Sequence, residues 1–273
     1  MVKINTQACN GCGICVTECS LFSLKLDNGK CVVRHNECLE CSHCVAVCPV
    51  GAITLEGYDH SELIITRPDS CRVNPEQLLL QMKYGRSVRS FNARVPADAD
   101  IADLIEAGRY APSGGNRQPL RYVVIKNVPE IVDLSMEAFA ETLALPDKEQ
   151  SVRAFGGYEA YVKKWTSQLN RYAVDQEDRL FFHAPVVIVI IGSSLYTIDA
   201  GIAISRMDIM CSSKGMAACI IGFFRMVADM SPKIRQRLNL RDKEKVLAAL
   251  AVGYSDVRYH TTKLRRKAQV EYI

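Results

Sequence analysis

The residues whose types and spacing speak most plainly of chemistry are cysteines. The chain holds twelve; nine of them fall between positions 9 and 48, and eight of those, all but Cys31, form two near-copies of one pattern. The first copy is Cys9-Asn10-Gly11-Cys12-Gly13-Ile14-Cys15, closed by Cys19; the second is Cys38-Leu39-Glu40-Cys41-Ser42-His43-Cys44, closed by Cys48 and Pro49. Both read C-x2-C-x2-C-x3-C. Three thiolates on a tight loop take three corners of an iron–sulfur cubane, and the fourth leaves on a short helix toward a neighbouring site. Zinc knuckles are the competing reading, but eight cysteines in this doubled spacing favour two [4Fe–4S] clusters, which exchange electrons one at a time. Gly11 and Gly13 are expected to let the first loop's backbone approach its cluster closely.

On these residues the first fifth of the chain resembles a bacterial two-cluster ferredoxin, in which the fourth cysteine of each run serves the other cluster. The resemblance implies Cys9, Cys12, Cys15 and Cys48 around one cluster, and Cys38, Cys41, Cys44 and Cys19 around the other. Ser20 stands where the second copy has Pro49, so the halves are not identical. His43 reads as a surface side chain and Cys31 as a strand residue. Short strands are expected at 2–4, 24–26, 31–34 and 52–56.

Length and composition set bounds around this module. At 273 residues the chain has room for two domains, and 48% hydrophobic against 23% charged residues is an ordinary globular balance. No run approaches the roughly 18 apolar residues that span a bilayer, and residues 1–20 lack a signal-peptide pattern. Metal-ligand spacing argues for a reducing, cytoplasmic setting rather than a disulfide framework. The formal charge of +4 conceals an asymmetry: residues 1–57 carry four Lys/Arg against five Asp/Glu, leaving +5 on the remainder. Eight thiolates around two oxidised clusters would deepen the N-terminal negative charge. The picture is an acidic module joined to a basic one, with no nucleic-acid or membrane partner.

After Gly57 the cysteine pattern stops. Residues 58–75 read as a linker, with turns at Arg67-Pro68-Asp69 and Asn74-Pro75 around a strand-like Leu63-Ile64-Ile65. Asn74 is expected to cap a helix with Pro75 at its first position. Beyond it, helices are expected over 98–110, 129–145, 151–169, 198–214 and 232–238, and strands at 122–126, 186–192, 217–221 and 245–254. Val186 to Ile191 is uniformly apolar, which predicts a central strand covered on both faces. The domains are therefore 1–57 and 76–273. The second is α+β, with neither G-x-G-x-x-G nor a Walker motif.

Three segments of this second domain suit a phosphate-bearing ligand. Arg86-Ser87-Val88-Arg89 pairs two guanidiniums with a hydroxyl. Pro112-Ser113-Gly114-Gly115-Asn116-Arg117-Gln118 frees backbone N–H groups and adds polar side chains, although a plain turn is the simpler reading. Lys263-Leu264-Arg265-Arg266-Lys267 is the kind of run that usually forms a solvated tail. Cys71, Cys211 and Cys219 read as small buried residues, and Asp199 as an N-cap or first-turn acid. Tyr158, Tyr161 and Trp165 lie on one helical face, as a substrate-covering lid or a core stripe, with Gly156-Gly157 as a hinge before them.

In their order, R-S-x-R, A-P-S-x-x-N-x-Q-P, C-x-I-G and a closing R-K resemble the FMN-dependent nitroreductase family over about residues 76–273. The resemblance implies a three-layer α+β homodimer with FMN at the subunit interface. By position, Arg86, Ser87 and Arg89 would hold the FMN phosphate or ring edge. Pro112, Ser113, Gly114, Asn116 and Gln118 would reach FMN, the one bound by the partner subunit. Cys219 to Gly222, and Ile221 and Gly222 in particular, would lie near the flavin N5. Arg266 and Lys267 would complete the phosphate site, with Arg265 a near-equal alternative. Gly85 and Leu120 depart from the pattern, where relatives often have a basic residue and a tryptophan.

The resemblance implies flavin-centred chemistry with no protein acid or base. The expected function is an FMN- and iron–sulfur-dependent oxidoreductase reducing a nitroaromatic, quinone-like or other conjugated small-molecule acceptor. Reduced ferredoxin through the clusters, or NAD(P)H directly, would supply the electrons. An electron-transfer adaptor with no substrate of its own is the second expectation, and an RNA-binding protein using the basic tail the last.

Overall fold

In a computed structural model the chain divides into two compact units, Met1–Arg72 with Ser113–Arg117, and Val73–Pro112 with Gln118–Ile273. The structure describes every residue except 66, 67 and 155. Arg67 of the expected turn and Phe155 of the expected 151–169 helix lie outside the described residues.

The first unit is built from short elements, because ligand-spaced cysteines leave little sequence for regular structure. Strand β1 (Val2–Ile4) pairs antiparallel with β4 (Ile53–Leu55), and β2 (Leu24–Asp27) with β3 (Lys30–Val33). Asn28 and Gly29, at φ 47° and 73°, form the two-residue turn that joins β2 to β3. Helices α1 (Ile14–Thr17) and α2 (His43–Ala46) each begin after a left-handed residue, Gly13 and Ser42. Its small core gathers Leu24, Cys31, Ala52 and Ile53 around Cys9 and Cys15.

In the second unit, β5 (Arg121–Ile125), β6 (Val186–Gly192), β8 (Lys245–Gly253) and β7 (Ala217–Ile220) form one antiparallel sheet in that order. All seven residues of β6 are buried. Its alternation sends Val187, Val189 and Ile191 into one core, and Val186, Ile188 and Ile190 into the other. The first core packs against α5 (Val128–Leu143), α7 (Glu159–Asp175), α9 (Gly222–Met230) and α10 (Pro232–Arg237), and the second against α4 (Asp98–Arg109) and α8 (Thr197–Ser213). The result is the expected three-layer α+β arrangement. Between Ile190 and Ile191 the pairing with β8 shifts, leaving Leu247 as an extra residue.

The remaining helices are α3 (Pro75–Tyr84) and α6 (Lys148–Ala154). Asn74 caps α3 as expected: its Oδ1 accepts from the N–H groups of Glu76 and Gln77 at 2.9 and 3.0 Å. Gly85 ends that helix, donating its N–H to the Gln81 carbonyl. Three expectations need correction. Leu63-Ile64-Ile65 is not a strand; these side chains are 55, 86 and 102% exposed, with no strand pairing to them among the described residues. The 151–169 helix is two helices, separated where Gly156 and Gly157 adopt φ 73° and 82°. Cys71 is exposed rather than buried, because it ends a short 3₁₀ turn (Pro68–Cys71).

Candidate functional site

The cysteine loops of the first unit are arranged to support thiolate sulfur. Gly11 N–H and Cys31 N–H both donate to Cys9 Sγ at 3.4 Å. Ser23 N–H reaches Cys19 Sγ at 3.3 Å, Glu40 N–H reaches Cys38 Sγ at 3.3 Å, and Ala52 N–H reaches Cys48 Sγ at 3.2 Å. The N–H groups of Cys31 and Gly11 hold the Cys9 thiol below its ordinary range. At Cys19 burial pushes the other way, yet the Ser23 N–H leaves the thiol lowered. Burial first, then the charges of Cys38 and Cys41, push Cys44 up to about 11. That crowding is the repulsion a cationic cluster core removes.

One cavity of this unit is lined by Cys19, Cys38, Cys41 and Cys44 together, and by none of Cys9, Cys12, Cys15 or Cys48. Cys19 thus faces the loop of the second cysteine run. A donor set made only of thiols, braced by backbone N–H groups, fits an iron–sulfur cubane. His43 is exposed, and its Nδ1 lies 3.2 Å from the Cys41 carbonyl.

In the second unit the R-S-x-R segment is fixed beside β7, since Val88 N–H donates to the Ala218 carbonyl at 2.9 Å. The stretch leading into the basic C-terminal run is held as far as Lys263, beyond which the side chains are exposed. Arg86 Nη2 donates to the Thr261 carbonyl at 2.6 Å and its guanidinium lies 4.3 Å from the Tyr259 ring centroid. Tyr84 Oη donates to the Tyr259 carbonyl, and Lys263 N–H to the Lys83 carbonyl. These contacts build a polar cavity of about 470 Å³ whose walls include Arg86, Ser87, Arg89, Asp208, Lys263 and Arg265. Burial raises the Asp208 carboxyl, opposed only in part by the Lys263 charge. Arg266 and Lys267 are exposed and lie outside this lining, whereas the alternative, Arg265, belongs to it.

A second cavity, of about 540 Å³, is more apolar and is walled in part by Cys219, Ile221, Gly222 and the β8 bulge at Leu247. Arg89 and Ile220 line both cavities. Cys219 is buried, and burial raises its thiol although Arg89 and the Ser87 hydroxyl pull it down. It packs in the core beside the cavity.

Tyr161 lines the larger cavity and meets Phe223 edge-on at 4.9 Å. Trp165, one turn further, is 1% exposed and stacks on Phe139 at 4.0 Å, so the aromatic stripe is part wall and part core. Asp199 lies in the first turn of α8, its Oδ2 buried without a hydrogen-bond partner among the described residues. Pro112 and Gln118 belong to the second unit but line neither cavity. Ser113, Gly114 and Asn116 group with the first unit, where Asn116 Nδ2 donates to the Glu40 carbonyl at 2.9 Å. Sequence reasoning passed over Asp208 and the cations Lys164, Arg179 and Arg225 of the larger cavity, which share no local motif.

An antiparallel three-layer unit carrying these cavities, joined to a doubled four-cysteine unit, defines an iron–sulfur protein with an appended oxidoreductase domain. The nitroreductase family profile matches residues 82–254, and the chain belongs to that family. A 4Fe-4S dicluster domain profile matches residues 1–71. The chain is 25% identical over 199 residues to a nitrobenzene nitroreductase of Ectopseudomonas oleovorans, covering 63% of this chain and 83% of that protein. It is 44% identical over 54 residues to a ferredoxin of Pyrobaculum islandicum, covering 19% of this chain and 50% of that one. Among solved structures, an FMN-bound nitroreductase from Bacteroides fragilis superposes with a TM-score of 0.55 at 22% identity, over 73% of this chain and 100% of that one. That likeness is one of fold. Among the described residues no helix is long and apolar enough to cross a membrane.

Proposed function

We propose that the protein is an FMN- and iron–sulfur-dependent oxidoreductase of the cytoplasm that reduces a nitroaromatic, quinone-like or other conjugated acceptor. The observation that carries this reading is the pair of cavities meeting at Arg89 and Ile220. Both walls carry cations, but one end is mainly polar and the other mainly apolar and aromatic, which suits FMN with its phosphate at one end and flat ring at the other. Arg86, Arg89, Lys263 and Arg265, with the Ser87 hydroxyl, would hold the phosphate end. The backbone of Cys219 to Gly222 would border the ring.

Bound FMN exchanges electrons in pairs or singly, and bound cubanes singly, so the two cofactors suit conversion between one- and two-electron partners. The chain's own part is to bind, orient and exclude water: Cys9, Cys12, Cys15 and Cys48 for one cluster, Cys19, Cys38, Cys41 and Cys44 for the other. The family resemblance adds a homodimer in which Pro112, Ser113, Gly114, Asn116 and Gln118 serve the partner's flavin. Reduced ferredoxin feeding the clusters, or NAD(P)H feeding the flavin directly, is the source of electrons.

An anaerobic comparison of NADH, NADPH and reduced ferredoxin by flavin bleaching tests this. Bleaching by at least one donor, followed by turnover of a nitroaromatic or quinone, is the expected result. A purified protein that holds no FMN after reconstitution overturns the reading. A Cys12→Ala variant should keep FMN and lose ferredoxin-driven turnover; intact ferredoxin-driven turnover would remove the clusters from the route.

A further inference from the structure

We propose that the larger cavity selects a planar conjugated acceptor that carries a carboxylate, held by Arg225 and Lys164. This rests on the FMN reading above and names the acceptor's charge.

The cavity wall has four cations, Arg89, Lys164, Arg179 and Arg225, and no Asp or Glu. They come from separate stretches of chain: the segment after α3, helix α7, the loop before β6, and helix α9. No local charge run explains their meeting. Arg179 is paired with Glu177, a residue outside the lining. The Lys164 ammonium sits 4.7 Å from the Phe223 ring centroid and Arg89 lies 6.0 Å from that of Phe182, contacts that hold the charges in place without neutralising them. Arg225 has no acidic partner among the described residues.

Arg225 also lies in the first turn of α9, whose N-terminal residues Gly222 and Phe223 line the same cavity. The helix N-terminus adds partial positive charge there. Like charges gathered in a concave wall repel one another and focus a positive potential, and an anion entering the cavity relieves both. The aromatic part of the wall, Tyr161, Phe182 and Phe223, offers ring edges and faces to a flat conjugated body.

FMN does not use up this charge. The polar cavity has Arg86, Lys263 and Arg265 for a phosphate and shares only Arg89 and Ile220 with the larger one. Lys164 and Arg225 remain for a second ligand, Arg179 being already paired with Glu177. The phosphates of a dinucleotide donor are the other possible source of negative charge. The flat aromatic wall beside the cations favours a compact aromatic anion.

The test is calorimetric binding of 4-nitrobenzoate and 4-nitrobenzamide to the FMN-loaded protein without electron donor. The two probes share a ring and a nitro group and differ in charge. The carboxylate should bind about tenfold tighter, the scale of a charge-assisted contact. Arg225→Ala and Lys164→Ala should each bring the ratio toward one, and Arg225→Lys should retain most of it. In turnover the same loss should appear in KM rather than kcat. Equal affinity of wild type for the two probes overturns the proposal. So does an Arg225→Ala variant that weakens NADPH binding and leaves the carboxylate preference intact. Either result is compatible with a functioning flavoenzyme, whereas absence of FMN or of any donor-dependent bleaching strikes the functional reading itself.

Discussion

Cys15 Sγ and Cys31 Sγ lie 3.4 Å apart in the buried heart of the first unit. Cys15 is one of the eight motif cysteines and Cys31 is not; with Cys15 as a thiolate ligand, the Cys31 thiol is placed to donate to it. Cys31 also gives its backbone N–H to Cys9 Sγ, so one strand residue supports two ligands assigned to the same cluster. Hydrogen bonds to cluster sulfur favour the more negative, reduced state and raise the potential. Cys31→Ala should therefore lower the potential of the Cys9–Cys12–Cys15–Cys48 cluster by about 30–60 mV, on the scale of one weak charge-assisted hydrogen bond. Cys31→Ser should recover part of it. An EPR-monitored titration measures both clusters in one sample, and two unchanged potentials would contradict the assignment.

The first cysteine loop depends on Gly11 for a reason that its motif does not reveal. A Cβ at Gly11 would sit 2.1 Å from the Gly29 carbonyl oxygen, and its φ is 77°. The tip of the β2–β3 hairpin thus closes on this loop, and Lys30 Nζ donates to the Cys9 carbonyl. Gly11→Ala should displace the loop and reduce cluster loading. Iron content per chain after anaerobic reconstitution should fall by about half, while Gly201→Ala, whose Cβ meets nothing within 4 Å and whose φ is not left-handed, should leave it unchanged.

What was legible in the sequence follows from where the information is local. The cysteine runs, the Asn74 cap and the buried strand at Val186 to Ile191 each depend on neighbours a few residues apart, and each is found in the fold. Asn28-Gly29 between two short apolar runs was an equally local hairpin signal that reading for metal ligands passed over. Helix α9 was also missed, although Phe224, Val227 and Ala228 form a buried i, i+3, i+4 stripe before Pro232. The cavities belong to another category. Asp208 reaches the polar cavity, and Arg179 and Arg225 the larger one, only through the order β5–β6–β8–β7 and the helices packed on it, so no spacing in the chain announces them.

Arg121 and Glu244 form a two-point ion pair that ties the start of β5 to the turn before β8. Arg121 Nη2 and Nε lie 2.7 and 2.9 Å from the two carboxylate oxygens, and Nη2 also donates to the Asn239 carbonyl at 2.8 Å. The Arg121 contact above all, with the Arg241 N–H beside it, lowers the Glu244 carboxyl from 4.5 to about 2. A depressed folded-state value means stability present above pH 4.5 and lost as pH falls toward 2. Glu244→Gln should cost about 2 kcal/mol near neutral pH. Its thermal midpoint should therefore fall below wild type at pH 7, with the gap narrowing between pH 4.5 and 2. A gap independent of pH over that range would mean that packing, not the ion pair, accounts for the loss.

The C-terminal basic run separates two accounts of the phosphate site. By family position Arg266 and Lys267 close it, whereas the polar cavity is lined by Arg265, with Lys263 held in place through its N–H bond to the Lys83 carbonyl. Both accounts share Arg86, whose guanidinium is fixed by the Thr261 carbonyl and the Tyr259 ring. Guanidinium contacts to phosphate are charge-assisted and worth about tenfold or more in affinity. Arg265→Ala should then weaken FMN binding to the apoprotein by at least that factor in a fluorescence titration. The Arg266→Ala/Lys267→Ala double variant should change it by less than about threefold, the scale of exposed charges acting at a distance. The reverse order would move the phosphate to the family position and require the 263–267 segment to shift when flavin binds. The two outcomes are separable because Arg265 and Arg266, adjacent in sequence, differ in whether they face the cavity.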